Sequence, residues 1–229
     1  MNIKEGLIYF SNIAYELGKW AFLVLVVGTL LHYFVATIFI ISGPSMEPEF
    51  HDGQIVLVSK IGLFSGKYKR GDPMVIKFPG DPDSKKYIKR LIALPGEKIQ
   101  IKNNEVFIND KKIFESYVRP VDEMMLPYYY EDPRWEEEAT QLHSQGKVLI
   151  KPNMTYYVKD GEYFLMGDNR ENSNDSRKWY PANRSDMIGP VVFILGQITK
   201  NPDCVGLCLP SLSFSSWGPV TNPYYGDQV

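Results

Sequence analysis

Histidine and cysteine are scarce in this chain of 229 residues, and their scarcity narrows its chemistry. There are two cysteines, Cys204 and Cys208, and three histidines, His32, His51 and His143. Two cysteines cannot make a disulfide framework, and without a second pair or suitably spaced histidines they do not make a zinc site. They read either as one disulfide, in an oxidising compartment, or as two free thiols. The chain also lacks a His-Glu-x-x-His helix, a glycine loop that cradles phosphate and a Gly-x-Ser-x-Gly elbow, so neither a metal nor a cofactor is expected. His32 falls in a long apolar run, His143 in a polar insert, and His51 only six positions from the most conspicuous serine, so a Ser-His-Asp triad has no obvious base. Excess positive charge is missing too. A net charge of -2 gives no basis for a nucleic-acid partner, and the short cluster Lys85, Lys86, Lys89, Arg90 is the one local exception.

What the chain does have is apolar residues, 44% of the total, with 14% aromatic, which is ample for a folded core. From Trp20 to Ile41 no Asp, Glu, Lys or Arg occurs, and about 20 such residues match one bilayer crossing. A cleavable signal is the competing reading, but its apolar stretch is usually about 7–15 residues and no Ala-x-Ala site closes this run. Lys4 and Lys19 precede the span, whereas Glu47, Glu49 and Asp52 follow it. The positive-inside rule therefore predicts a cytoplasmic N-terminus and an exterior C-terminal domain.

After the span the pattern turns to short β-branched runs punctuated by Gly, Pro and Asn, which predicts an all-β domain of antiparallel sheets behind one N-terminal transmembrane helix. Strands are expected at Gln54–Ser59, Met74–Phe78 and Tyr87–Leu94, with two successive hairpins over Ile99–Ile113. A further hairpin is expected around Lys159-Asp160-Gly161, and an apolar strand or strand pair at Ile188–Ile198. The resulting division is a lead-in at 1–19, an anchor at 20–41 running into the first strand, and a β domain at 42–114 and 153–200. An insert at 115–152 interrupts that domain, and an irregular tail at 201–229 follows it. The insert carries Tyr128-Tyr129-Tyr130, the acidic run Glu136-Glu137-Glu138 and a helix-compatible stretch from Trp135 to Gln145.

Three stretches carry chemistry. Ser45 lies in Ser-Gly-Pro-Ser-Met-Glu-Pro at 42–48, just where the chain leaves the apolar run. A serine attacks a carbonyl only after losing its proton, and a lysine accepts that proton only when neutral. Lys89, in Tyr-Ile-Lys-Arg-Leu-Ile, has apolar company that can lower its pKa by burial. The run 167–177, Gly-Asp-Asn-Arg-Glu-Asn-Ser-Asn-Asp-Ser-Arg, holds arginines and acids that can pair within a rigid loop and offers a serine to orient the amine. Each stretch alone also reads as ordinary surface or core.

Together with Arg-Gly-Asp-Pro-Met-Val-Ile-Lys-Phe-Pro at 70–79, these stretches resemble, in order, the motifs of the bacterial type I signal peptidases, membrane-anchored Ser-Lys endopeptidases of class S26. The resemblance implies Ser45 as nucleophile, Lys89 as general base, Ser173 as the hydroxyl that orients it, and Asp175 with Arg177 as a structural ion pair. It implies the Ser45 backbone N–H as oxyanion donor, with Gly43 standing where some members have a second, hydroxyl donor. Glu49 departs from the threonine often found there. Two shallow pockets for small side chains are implied at Phe39, Ile41, Met46, Phe50, Val56, Val75, Tyr87 and Ile88. The implied activity is cleavage of signal peptides from exported preproteins with small residues before the cut. The implied setting is the extracytoplasmic face of the bacterial cytoplasmic membrane, against the bilayer and near the secretion translocon. The rivals are a LexA-type self-cleaving Ser-Lys protein, which would need a DNA-binding domain, and a catalytically inactive membrane-anchored scaffold.

Overall fold

Alternating burial on short strands, with one long, largely apolar helix ahead of them, sets the architecture. The computed structural model describes residues 3–62, 66–79, 85–102, 105–118, 140–141, 154–199 and 210–223. Helix α1 (Ile3–Phe34) is followed by β1 (Ala36–Ile40), β2 (Gln54–Ser59), β3 (Pro73–Lys77), β4 (Lys86–Ala93), β5 (Lys98–Lys102), β6 (Glu105–Ile108) and β7 (Lys111–Lys112). Then come β8 (Thr155–Tyr157), β9 (Glu162–Met166), a short helix α2 (Ser176–Trp179), β10 (Ala182–Asn183), β11 (Met187–Thr199), β12 (Ser211–Ser213) and β13 (Gly218–Pro219). The all-β expectation with one N-terminal apolar helix is borne out.

The larger sheet runs β1-β2-β11-β3-β4-β9-β10, and the smaller runs β7-β6-β5-β8; every described pairing is antiparallel. From Ile88 onward strand β4 is buried on both faces, and its side chains reach different cores. Leu91 packs with Met74, Ile76, Leu165 and Trp179 on one side, while Ile92 and Ala93 pack with Phe164, Met166 and the inward residues Ile99, Ile101, Val106 and Ile108 of the small sheet on the other. Full burial of a side chain such as Leu91 contributes roughly 1.5–3 kcal/mol. A third core of Ile41, Met46, Phe50, Val56, Val58, Val75, Ile88 and Val191 lies on the inner side of the larger sheet. The long strand β11 serves both halves of that sheet, pairing with β3 at its start and β2 further on, with register shifts that let the sheet curl.

Several local expectations differ from the structure. The helix stops at Phe34, and the apolar residues beyond it belong to β1, in register with β2 from Ala36↔Ser59 to Ile40↔Ile55. Their run of Thr and Ile suits a strand, and an apolar stretch alone cannot separate the end of a span from the start of a buried strand. The length lost there is regained on the N-terminal side, where Leu7, Ile8, Tyr9 and Phe10 are exposed on the same helix, so that Gly6–Phe34 is long and apolar enough to cross a bilayer. The turn at Lys159-Asp160-Gly161 closes no hairpin: β8 pairs with β5 in the small sheet and β9 with β4 in the large one, so the turn passes between sheets. The tail is not wholly irregular, since β12 and β13 both pair with β11 and Trp217 packs edge-on against Phe193. Most of the insert, with its tyrosine and glutamate runs and His143, lies outside the described residues, as do Cys204 and Cys208.

Candidate active site

The turn at residues 45–49 follows β1 and is pinned from both sides. Met46 and Phe50 are fully buried beneath it, the Phe50 N–H donates to Met46 O at 2.9 Å, and the Gly43 N–H donates to Asp52 Oδ1 at 2.8 Å. Gly43 has φ of +90°, a conformation that a side chain disfavours, so glycine here is demanded by the backbone. A serine at this position would meet that strain before it could serve as an oxyanion donor.

Ser45 is met by a lysine from β4. Lys89 Nζ donates to Ser45 Oγ at 2.6 Å and to Ile88 O at 2.9 Å, and it lies 5.5 Å from the centre of the Tyr87 ring. Lys89 is only 2% exposed, and burial lowers its pKa to about 8, with the charges of Asp175 and Asp168 pulling the other way. A neutral amine touching a serine hydroxyl is the arrangement proton abstraction needs. Of the basic cluster, then, Lys85 and Lys86 are solvated while Lys89 and Arg90 are buried. His51 is exposed, and His32 lies in α1.

The loop 167–177 closes over this pair. Asp175 caps α2 and receives Arg177 in a two-bond grip, Nε to Oδ1 and Nη2 to Oδ2, both 2.8 Å, while its Oδ2 also accepts the Gly167 N–H at 2.9 Å. Burial would raise the Asp175 pKa, but Arg177 and the Gly167 N–H outweigh it and hold it at about 2. The other charges of the loop reach outward rather than pairing within it. Asp168 takes Arg90 Nε at 2.7 Å, and Arg170 pairs with Glu115 at the start of the insert. These ionic groups are too buried to be left unpaired, and their partners come from segments distant in sequence.

Ser173 stands beside the pair without bonding to it. Its Oγ is buried with no hydrogen-bond partner; it lies near enough to Asp175 to help depress that carboxyl, but outside bonding geometry. The amine orientation expected of Ser173 is supplied in this structure by Ile88 O. Gly167 is the residue that admits the serines to one place: a Cβ on it would stand 2.3 Å from Ser173 Oγ and 2.4 Å from the Ser45 carbonyl oxygen. The Asn169 N–H donates to that same Ser45 oxygen at 3.1 Å.

Beside Ser45 opens a cleft of about 300 Å³ lined by Phe39, Ile41, Val56, Val75, Tyr87 and Ile88, together with Ser42 and Lys86. Strands β1 and β4 both border it although three strands separate them in the sheet order, which is the consequence of the curl. Met46 and Phe50, expected in the pocket walls, instead lie fully buried in the core beneath the cleft. Sequence reasoning missed Gly167, Asn169, and the pairing of Arg90 with both Asp168 and Glu49. The order Gly-Asp-Asn was visible, but nothing local shows what each residue touches.

Comparison with known proteins places this geometry in context. The profile of the family described as "Signal peptidase, peptidase S26" matches residues 14–196. The chain is 34% identical over 167 residues to a signal peptidase I of Bacillus licheniformis, covering 73% of this chain and 80% of that protein. It is 34% identical over 178 residues to signal peptidase I T of Bacillus subtilis, covering 78% and 82%. A signal peptidase I of Pseudomonas aeruginosa is 31% identical, covering 77% of this chain and 67% of that protein.

Proposed function

Because the chain belongs to the signal peptidase family, peptidase S26, and is a signal-peptide-cleaving serine peptidase, we propose that Ser45 is its nucleophile and Lys89 its general base. The neutral Lys89 amine takes the Ser45 proton as Oγ attacks the scissile carbonyl, and the Ser45 backbone N–H donates to the developing oxyanion. The resulting ammonium returns a proton to the leaving amine as the C–N bond breaks. Lys89, neutral again, takes a proton from the water that attacks the acyl-enzyme and passes it to Ser45 Oγ as the ester C–O bond breaks, which releases the signal peptide with a new carboxylate and restores the serine hydroxyl. The observation that carries this reading is the 2.6 Å contact between Lys89 Nζ and Ser45 Oγ in surroundings that favour the neutral amine.

The cleft between β1 and β4 receives the residues before the cut, and its apolar, shallow floor of Ile41, Val56, Val75 and Ile88 suits small side chains. Asp175 and Arg177 brace the loop behind the base, and Ser173 reaches the Lys89 amine through a side-chain rotation. Helix α1 anchors the protein in the bacterial cytoplasmic membrane with its N-terminus inside, leaving the β domain on the extracytoplasmic face against the lipid. There signal peptides emerge from the translocon.

The test is to incubate detergent-solubilised protein with a secretory preprotein, beside Ser45→Ala and Lys89→Ala. Processing by the parent and a loss of at least about a thousandfold in either variant is expected. Equal processing by all three would remove both residues from the chemistry.

A further inference from the structure

One buried arginine has two carboxylates, and the second of them belongs to the nucleophile's own turn. Arg90 is completely buried. Its Nε and Nη2 bond Asp168 at 2.7 and 2.5 Å, its Nη1 bonds Gly71 O at 2.8 Å, and its guanidinium lies 4.2 Å from the centre of the Tyr117 ring. Nη2 also donates to Glu49 Oε2 at 2.8 Å, with the Glu49 side chain 31% exposed. One carboxylate and the stacked ring already satisfy the arginine, so the bond to Glu49 is not needed to neutralise a buried charge.

What Glu49 adds is a mechanical connection. Lys89 and Arg90 are neighbours on β4, and they hold the two ends of the same turn: Lys89 bonds Ser45 and Arg90 bonds Glu49. Asp168, which shares Arg90 Nη2 with Glu49, is followed by Asn169, whose N–H bonds the Ser45 carbonyl. The contacts form a closed circuit from the turn to β4, from β4 to the loop, and from the loop back to the turn.

We infer that Glu49 is a positioning residue, which through Arg90 fixes the nucleophile turn against the strand that carries Lys89. The inference rests on Ser45 and Lys89 as the reacting pair. Glu49 touches neither substrate nor the reacting atoms, and its effect falls on the acylation step. Misplacing a reacting pair by about 1 Å costs up to about a hundredfold, and a tether with Asp168 still in place accounts for part of that, about tenfold. The substrate cleft shares no residue with this circuit apart from Ser45, so binding is untouched.

The experiment compares full-length protein in detergent with Glu49→Ala and Glu49→Gln, the latter keeping an oxygen acceptor for Arg90. Preprotein cleavage gives kcat, KM and the pH profile, and the burst of p-nitrophenol from p-nitrophenyl acetate, with Ser45→Ala as blank, counts acylatable sites and their acylation rate. Expected are a loss in kcat per active site of about tenfold in Glu49→Ala, KM within twofold, an unmoved acidic limb, and a return to within about threefold of the parent in Glu49→Gln. The inference is overturned if Glu49→Ala keeps its rate per site within twofold, or if the whole loss lies in the number of active sites, which marks a purely structural role. It is equally overturned if both variants lose activity together and the acidic limb moves, which marks a field effect. Should the parent cleave no preprotein, the proposed function fails by itself, and the acylation rates still decide the role of Glu49.

Discussion

Lys89 is held at a cost to the fold, and the cost is measurable. Its pKa falls from 10.5 to about 8 on burial, so at lower pH the folded protein must either keep an unfavourable buried charge or give up a proton that the unfolded chain retains. A depressed lysine pKa destabilises fully below about 8, and the penalty disappears as pH rises through the unfolded value near 10.5. At about 1.36 kcal/mol per pH unit the penalty approaches ~3 kcal/mol, reduced in a comparison by the two hydrogen bonds Lys89 makes, worth about 1 kcal/mol each. Lys89→Met is therefore expected to be inactive yet about 1 kcal/mol more stable at pH 6, and to lose that advantage by pH 11, as read by thermal denaturation at both pH values. In the parent, kcat/KM should fall tenfold per pH unit below about 8, because the protonated amine accepts no proton. A preprotein-cleavage profile that stays flat down to pH 6 would contradict Lys89 as the base.

Among the elements, the strand-to-loop junction at the end of β9 is the most constrained. Gly167 follows Met166, donates its N–H to Asp175 and passes so close to Ser45 and Ser173 that a methyl group finds no room. The nearest obstacle on the Ser45 side is a backbone oxygen, which cannot rotate away. Gly167→Ala should lower kcat/KM by about a hundredfold through displacement of the turn that carries Ser45, the proposed nucleophile, with a stability loss of about 1–3 kcal/mol from overpacking. Parallel cleavage assays and thermal denaturation check the two effects separately. By contrast Glu171, exposed on the same loop, should tolerate alanine with little change in either measurement.

At the scale of the whole molecule, the helix and the β domain are nearly independent. The residues of α1 from Leu7 to Phe34 are exposed within the protein, and the helix meets the domain at its C-terminal end, where Lys60 donates to His32 O at 2.9 Å and to the Val35 carbonyl at 2.8 Å through its backbone N–H. Among the described residues, the three cores contain none from α1. Removal of residues 1–34 should leave the melting temperature of the β domain within a few degrees of the parent. It should preserve turnover of a short soluble peptide, abolish sedimentation with membranes through the helix, and sharply reduce processing of a preprotein held in vesicles. Loss of peptide turnover together with fold would show that the helix is part of the catalytic unit.

Patterns that act locally were legible in the sequence, because a short window contains their cause. Uncharged length marks the span, a β-branched run marks β2, alternating apolar residues mark β5 and β6, and the ordered motifs around Ser45, Lys89 and residues 167–177 mark the candidate site and the family. Only tertiary structure decided where the helix yields to β1, since that choice depends on β2 being available to pair with it. It alone decided that Lys89 is buried, for the desolvation comes from segments far along the chain, and that 44 positions of sequence separate two atoms lying 2.6 Å apart. The same holds for Arg90: its sequence neighbours show a basic residue on a strand, whereas Asp168 and Glu49 become its partners only when the sheet curls and the loop closes over it.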